Sequence, residues 1–221
     1  MTDFTPLHRS LLRGPRLPAG AGPVFNPYRD EDPALDQPGA ARQRRANLAA
    51  YLERVGRPRL VLLGEALGYR GGRFSGIAFT GERQLAGPEN VRLPWTAETG
   101  APLRATSRNP NLWLEPSGTV VWGALGGRAA GVLLWNTFPW HPPAPRGPLS
   151  NRTPERSLVA ANRDVLERLL AAVGAVPVLA VGRTAQAALA ELGVAAPALR
   201  HPAHGGAGLF RAQVAGFLAG L

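Results

Sequence analysis

The apolar positions of this chain fall into two rhythms. Short continuous runs read as strands buried on both faces: Leu60 to Gly64, Gly131 to Trp135, Val176 to Val181 and the brief Pro197 to Arg200, with Thr119 to Trp122 as a further candidate. Longer stretches show helical spacing. Ala40 to Val55 places Leu48, Leu52 and Val55 on one face, and Gly56 and Pro58 stop it. Glu155 to Val173 is a second helix, opened by Thr153-Pro154; Thr184 to Leu192 is a third, ended by Gly193; Phe210 to Leu218 is the last. Strands that alternate with helices predict an α/β fold, a three-layer α/β/α sandwich on a central, mostly parallel sheet of about four strands, because parallel strands need crossovers.

The remaining segments are punctuated by Pro and Gly. Residues 1–39 read as an irregular N-terminal arm lying over one domain that spans 1–221. Leu85 to Gly118 reads as loop with one short helix and isolated Trp95, Leu112 and Trp113, and Pro139 to Pro154 as a loop carrying Arg146 and Arg152. A length of 221 residues suits a single core.

Three of the strands end in chemistry. Leu60 to Gly64 runs into Glu65-Ala66-Leu67-Gly68, and the glycine-rich stretch continues to Phe79-Thr80-Gly81-Glu82. Gly131 to Trp135 delivers Asn136, and the last short strand delivers His201-Pro202. In an open parallel sheet the carboxyl ends of the strands line one crevice, so Glu65, Asn136 and His201 can meet although they are distant in sequence. Each residue alone reads equally well as a turn or loop residue; their order along the chain is the informative feature.

Charge narrows the partner. The formal net charge is +10, from 25 basic and 15 acidic residues, and every basic residue is Arg. A GC-rich coding sequence accounts for the preference for Arg, yet Arg still clasps phosphate bidentately, so a polyanionic partner is expected. The chain has no cysteine, which removes disulfides, thiol nucleophiles and thiolate metal sites. It also lacks a Walker-type glycine loop, a Gly-x-Gly-x-x-Gly turn and a Gly-x-Ser-x-Gly elbow. The spacing of His141, His201 and His204 fits no zinc pattern, and neither a metal nor another cofactor is expected. No apolar stretch approaches the ~20 residues that span a bilayer and the N-terminus lacks a signal-peptide core, so a soluble, cytoplasmic protein with no membrane partner is expected, working as a monomer.

The ordered set of strand ends resembles the uracil-DNA glycosylase superfamily. Its first motif is similar to Gly64-Glu65-Ala66-Leu67-Gly68 continuing to Phe79, its base-reading Asn to Asn136 in Leu133-Leu134-Trp135-Asn136-Thr137, and its final His-Pro to His201-Pro202. Phe25-Asn26-Pro27-Tyr28 and the helix around Arg44-Arg45-Ala46-Asn47-Leu48 look like the front end of some bacterial members. The resemblance implies a monofunctional DNA glycosylase that hydrolyses the N-glycosidic bond of uracil in DNA during base excision repair. It implies that Phe79 stacks on the flipped base, Asn136 reads its edge, and His201 stabilises charge on the leaving group. Gly64, Ala66, Leu67 and Gly68 would line the base pocket, with backbone donors near Ala66 and Leu67. Arg200 and Arg211 would flank the loop that probes the duplex.

The chain departs from the family in ways that bear on subtype. An iron–sulfur cluster held by four cysteines is excluded. Where the best-known members carry Asp and Tyr, this chain has Ala66 and Gly68, and Ala203 replaces the Ser that usually follows His-Pro. Glu65 and Glu82 each resemble an acidic residue of one branch, and either is a candidate to act on water. The departures leave a second reading, a non-catalytic or non-uracil nucleic-acid-binding module on the same scaffold. The charge disfavours a third, a small-molecule enzyme using the same crevice.

Overall fold

The computed structural model describes residues 2–89, 91–93 and 103–220; Trp95 lies outside the described residues. Four parallel strands form one sheet in the order β2-β1-β3-β4: β1 (Leu60–Ala66), β2 (Val132–Phe138), β3 (Val178–Val181) and β4 (Ala198–Leu199). The register pairs Leu60 with Val132 and Gly64 with Asn136 on one side of β1, and Val61 with Val178 on the other. Leu60 to Leu63 and Leu133 to Leu134 are completely buried, as their unbroken apolar runs require for strands covered on both faces.

Nine helices join or cover the strands among the described residues: α1 (Thr5–Arg13), α2 (Ala40–Val55), α3 (Gly72–Ser75), α4 (Glu82–Ala86), α5 (Pro116–Leu125), α6 (Arg156–Ala161), α7 (Arg163–Val173), α8 (Arg183–Glu191) and α9 (Ala207–Ala219). α2 and α7 lie against β2, α8 against β1 and β3, and α5 against α9. No helix among the described residues is long and apolar enough to cross a membrane.

Three expectations are corrected. Residues 1–39 are not irregular throughout. Leu7, Ser10 and Leu11 form one buried face of α1, and with Phe4 and Tyr28 they enter the core, so the arm is built into the domain. Thr119 to Trp122 is helix rather than strand. Its β-branched residues suggest extension, but Gly118, Val121, Trp122 and Leu125 are buried at spacings of three and four, behind Pro116 in the first turn. The helix expected over Glu155 to Val173 is broken at Asn162. The carboxamide there donates to Leu158 O and Arg16 O and accepts from Arg16 N, all within 2.8 Å, so its backbone leaves the helix to clasp the N-terminal segment.

A buried ionic knot fastens that segment beneath the site loop. Arg44 and Arg73 are fully buried and share Asp36, at 3.1 and 2.8 Å, while the Arg73 guanidinium lies 4.1 Å from the ring centroids of Phe25 and Phe74. Asp36 in turn bridges to Ser107 in antiparallel fashion.

Candidate active site

β1 ends at Ala66 and β2 at Phe138, and the loops that leave them face one another across the carboxyl edge of the sheet. There the chain encloses a cavity of about 270 Å³ whose wall includes Glu65, Leu67, Phe79, Glu115, Asn136 and His201. Ala66, Gly68, Ser117, Asn151, Arg152, Ala203 and His204 complete it. Glu65, His201, Ala203 and His204 also border an adjoining cleft of about 450 Å³, together with Arg183, Thr184 and Arg200.

Each wall residue has a local reason for its position. Gly64 is the strand partner of Asn136, and a Cβ at Gly64 would lie 2.5 Å from Asn136 Oδ1 and 2.8 Å from Phe79 Cε2. Only glycine admits both side chains over that backbone. Phe79 has φ of 54°, unusual for a residue with a Cβ, and its carbonyl is held at 3.1 Å by the Trp122 indole N–H of α5. Asn136 is 4% exposed at the end of β2. Thr137, beside it, donates to Gly64 O at 2.8 Å and locks the two strand ends together.

Across the cavity, His201 Nδ1 accepts from the Ala203 N–H at 3.1 Å. A neutral ring that accepts at Nδ1 carries its hydrogen on Nε2. Burial lowers the pKa of His201, the nearby Glu65 carboxylate partly offsets this, and the outcome favours the neutral ring. Glu65 itself accepts a 2.6 Å hydrogen bond from the Thr184 hydroxyl of α8.

Several expected residues lie elsewhere. Glu82 is fully buried in α4, accepting from Thr106 N, Ser107 N, the Ser107 hydroxyl and Trp113 N at 2.5–3.3 Å. Its oxygens are consumed by the 106–113 loop, and of the two carboxylates only Glu65 borders the cavity. The Leu67 N–H donates to Trp140 O at 3.1 Å and is not a donor for a ligand, although the Leu67 side chain remains in the wall. Arg200 is exposed on the neighbouring cleft, and Arg211 is exposed on α9 away from both.

The structure also brings in residues that sequence reasoning missed: Glu115, Ser117, Asn151 and Thr184. Glu115 had a signal. It is the one carboxylate between Leu103 and Ala130 and sits directly before Pro116, where a helix begins. Asn151 accepts from the Tyr69 N–H at 2.9 Å and stands with Glu115 beside Gly68.

Comparison with known proteins agrees with this architecture. A family model described as the uracil DNA glycosylase superfamily matches residues 53–214. No curated protein matches the chain. Among solved structures, wild-type SMUG2 of Pedobacter heparinus superposes with a TM-score of 0.63 over 96% of this chain and 97% of that one, at 16% identity. At that identity the likeness is one of fold.

Proposed function

We propose that this chain, which belongs to the uracil DNA glycosylase superfamily and is a DNA glycosylase, removes uracil from DNA as a monofunctional hydrolase. The observation that carries the reading is the joint placement of Phe79 and Asn136 over the bare backbone of Gly64 at one end of a cavity closed by Glu65 and His201.

The chemistry follows from that placement. A base must leave the stack before its glycosidic bond can be attacked. Phe79 offers a face for the flipped ring, and the Asn136 carboxamide offers an acceptor for N3–H beside a donor for O4. As the C1′–N1 bond breaks, its electron pair moves onto the base, and the Nε2–H of neutral His201 stabilises the developing oxyanion. Water then adds to C1′ of the cationic sugar, with Glu65 orienting it or accepting its proton. The sequence has no lysine to form a Schiff base with the sugar, so excision ends at an abasic site without strand cleavage. Arg183 and Arg200 on the adjoining cleft supply cations for the DNA backbone.

The test is incubation of purified protein with uracil-containing single- and double-stranded oligonucleotides, followed by alkaline cleavage. Cleavage at uracil only after alkali is the expected result. Tight binding with no alkali-labile site would favour a nucleic-acid-binding module on the same scaffold.

A further inference from the structure

We propose that Glu115 is a base-contacting residue of this pocket, presenting a carboxyl O–H to an acceptor atom of the bound base; the inference rests on the reading of the cavity as a base site. Glu115 stands immediately before α5, and its carbonyl is occupied by Thr119 N at 3.0 Å. Its side chain does not cap the helix. Instead it reaches over the loop that follows β1: a Cβ on Gly71 would collide with the Glu115 carboxyl, and one on Gly68 would lie 4.0 Å from Oε1. Although the residue as a whole is only partly buried, Oε2 is buried against Gly71 without a hydrogen-bond partner, which leaves Oε1, on the Gly68 side, as the oxygen that carries the O–H to the cavity that Glu115 and the reading residue Asn136 both border.

A buried carboxyl without a donor or cation around it is held as the neutral acid, and burial pushes Glu115 up to about 8. The groups facing it bear this out. α5 contains no charged residue. In α4, the Glu82 carboxylate is taken up by backbone donors and the Ser107 hydroxyl, and Arg83, held to Trp113 O through its backbone N–H, makes no ion pair with Glu115. The loop after β1 contributes Tyr69 and Arg70, whose guanidinium turns to the Tyr69 hydroxyl at 2.9 Å. The cavity wall contributes Glu65, Arg152, His201 and His204. Of these, Glu65 is engaged by Thr184, and Arg152 pairs with Glu155 and donates to Pro143 O and Pro23 O. No cation among them bonds to Glu115.

A neutral carboxyl has one hydrogen to give, and this one has no protein acceptor. The consequence for the reaction is directional. Negative charge accumulates on the base as its bond to the sugar breaks, so an O–H donor assists the step while an ionised carboxylate opposes it. Excision therefore weakens as Glu115 loses its proton. His201 does not explain such an alkaline limb, because burial moves it in the opposite direction.

The experiment follows single-turnover uracil excision from about pH 6 to about pH 10 for the parent, Glu115→Gln and Glu115→Ala, beside the affinity of each for uracil-free duplex. The parental rate should fall about tenfold per pH unit above about pH 8. Glu115→Gln, isosteric and still a donor, should keep the neutral-pH rate within about tenfold and lack that fall. Glu115→Ala should lose about 10–100-fold at neutral pH with duplex affinity unchanged. An alkaline fall that persists in Glu115→Gln, or an alanine variant as fast as the parent, removes Glu115 from base recognition while leaving uracil excision in place. A parent that excises no uracil overturns the reading of the cavity itself, and the role of Glu115 with it.

Discussion

Gly64 and Asn136 are partners across the β1–β2 ladder, and a Cβ on Gly64 would lie 2.5 Å from Asn136 Oδ1. The Asn136 carboxamide thus occupies space that only glycine leaves open. Gly64→Ala should displace Asn136 and Phe79 together, slowing excision by about 100-fold or more, since misplacement of about 1 Å carries that penalty. The overpacked strand should also lose about 1–3 kcal/mol of stability. Single-turnover rates and urea titration measure the two effects, and an alanine variant with the parental rate would contradict the arrangement.

On the proposed reading, Asn136→Asp removes the donor offered to uracil O4 and sets a second acceptor against it. An unmatched polar group in an enclosed pocket costs about 1–3 kcal/mol, so uracil excision should drop about 10- to 100-fold. Affinity for uracil-free duplex should stay close to parental, because it rests on arginine contacts to phosphate. Excision of uracil by the variant at full rate would mean that another group reads the base.

Asp36 is the shared counter-ion of two fully buried guanidinium groups. Asp36→Asn removes the carboxylate that Arg44 and Arg73 share and leaves Arg73 only the longer contact to Asp32 at 3.9 Å, and breaking such a buried pair costs about 3–5 kcal/mol. Denaturant unfolding should show that loss. The substitution should also loosen the site loop, since Arg73 in α3 is tied by the same carboxylate to the N-terminal segment. Unchanged stability would show that water or relaxation compensates the two cations.

His141 is completely buried, with Nδ1 2.8 Å from Leu67 O and Nε2 3.2 Å from Pro148 O. Only one nitrogen of a neutral ring carries hydrogen, and the shorter contact marks Nδ1 as the donor, which anchors the loop after β1. Burial holds its pKa down at about 4, whereas an unfolded histidine titrates near 6.5. The unfolded chain therefore takes up the proton first. Stability from this group is complete above about pH 6.5 and is lost as the pH falls towards about 4. Urea titrations of the parent and His141→Gln at a series of acidic pH values should converge as this contribution disappears; curves that stay parallel would exclude it.

Continuous apolar runs made β1, β2 and β3 legible in the sequence to within a few residues, and α2 to the residue, because burial on two faces and helical periodicity are local properties of the chain. The same holds for Glu65, Asn136 and His201, which sit where strands end and where a parallel sheet must place its crevice. Tertiary contacts decided the rest. Thr119 to Trp122 has extended propensity, yet it folds as helix because that spacing buries Val121, Trp122 and Leu125 together. Asn162 breaks a helix whose pattern is otherwise continuous because its amide bonds to Arg16, 146 positions away. Glu82 and Glu65 were equivalent acids in sequence, and what separates them is where their hydrogen-bond donors come from: the 106–113 loop closes around Glu82, while Glu65 receives a single hydroxyl and keeps a face on the cavity. Glu115 stood out in sequence only as the lone carboxylate of its stretch, and its place in the wall follows the same reason in reverse. The burial of its Oε2 is imposed by a loop more than forty residues earlier, and only the folded chain removes that oxygen from water without supplying it a partner.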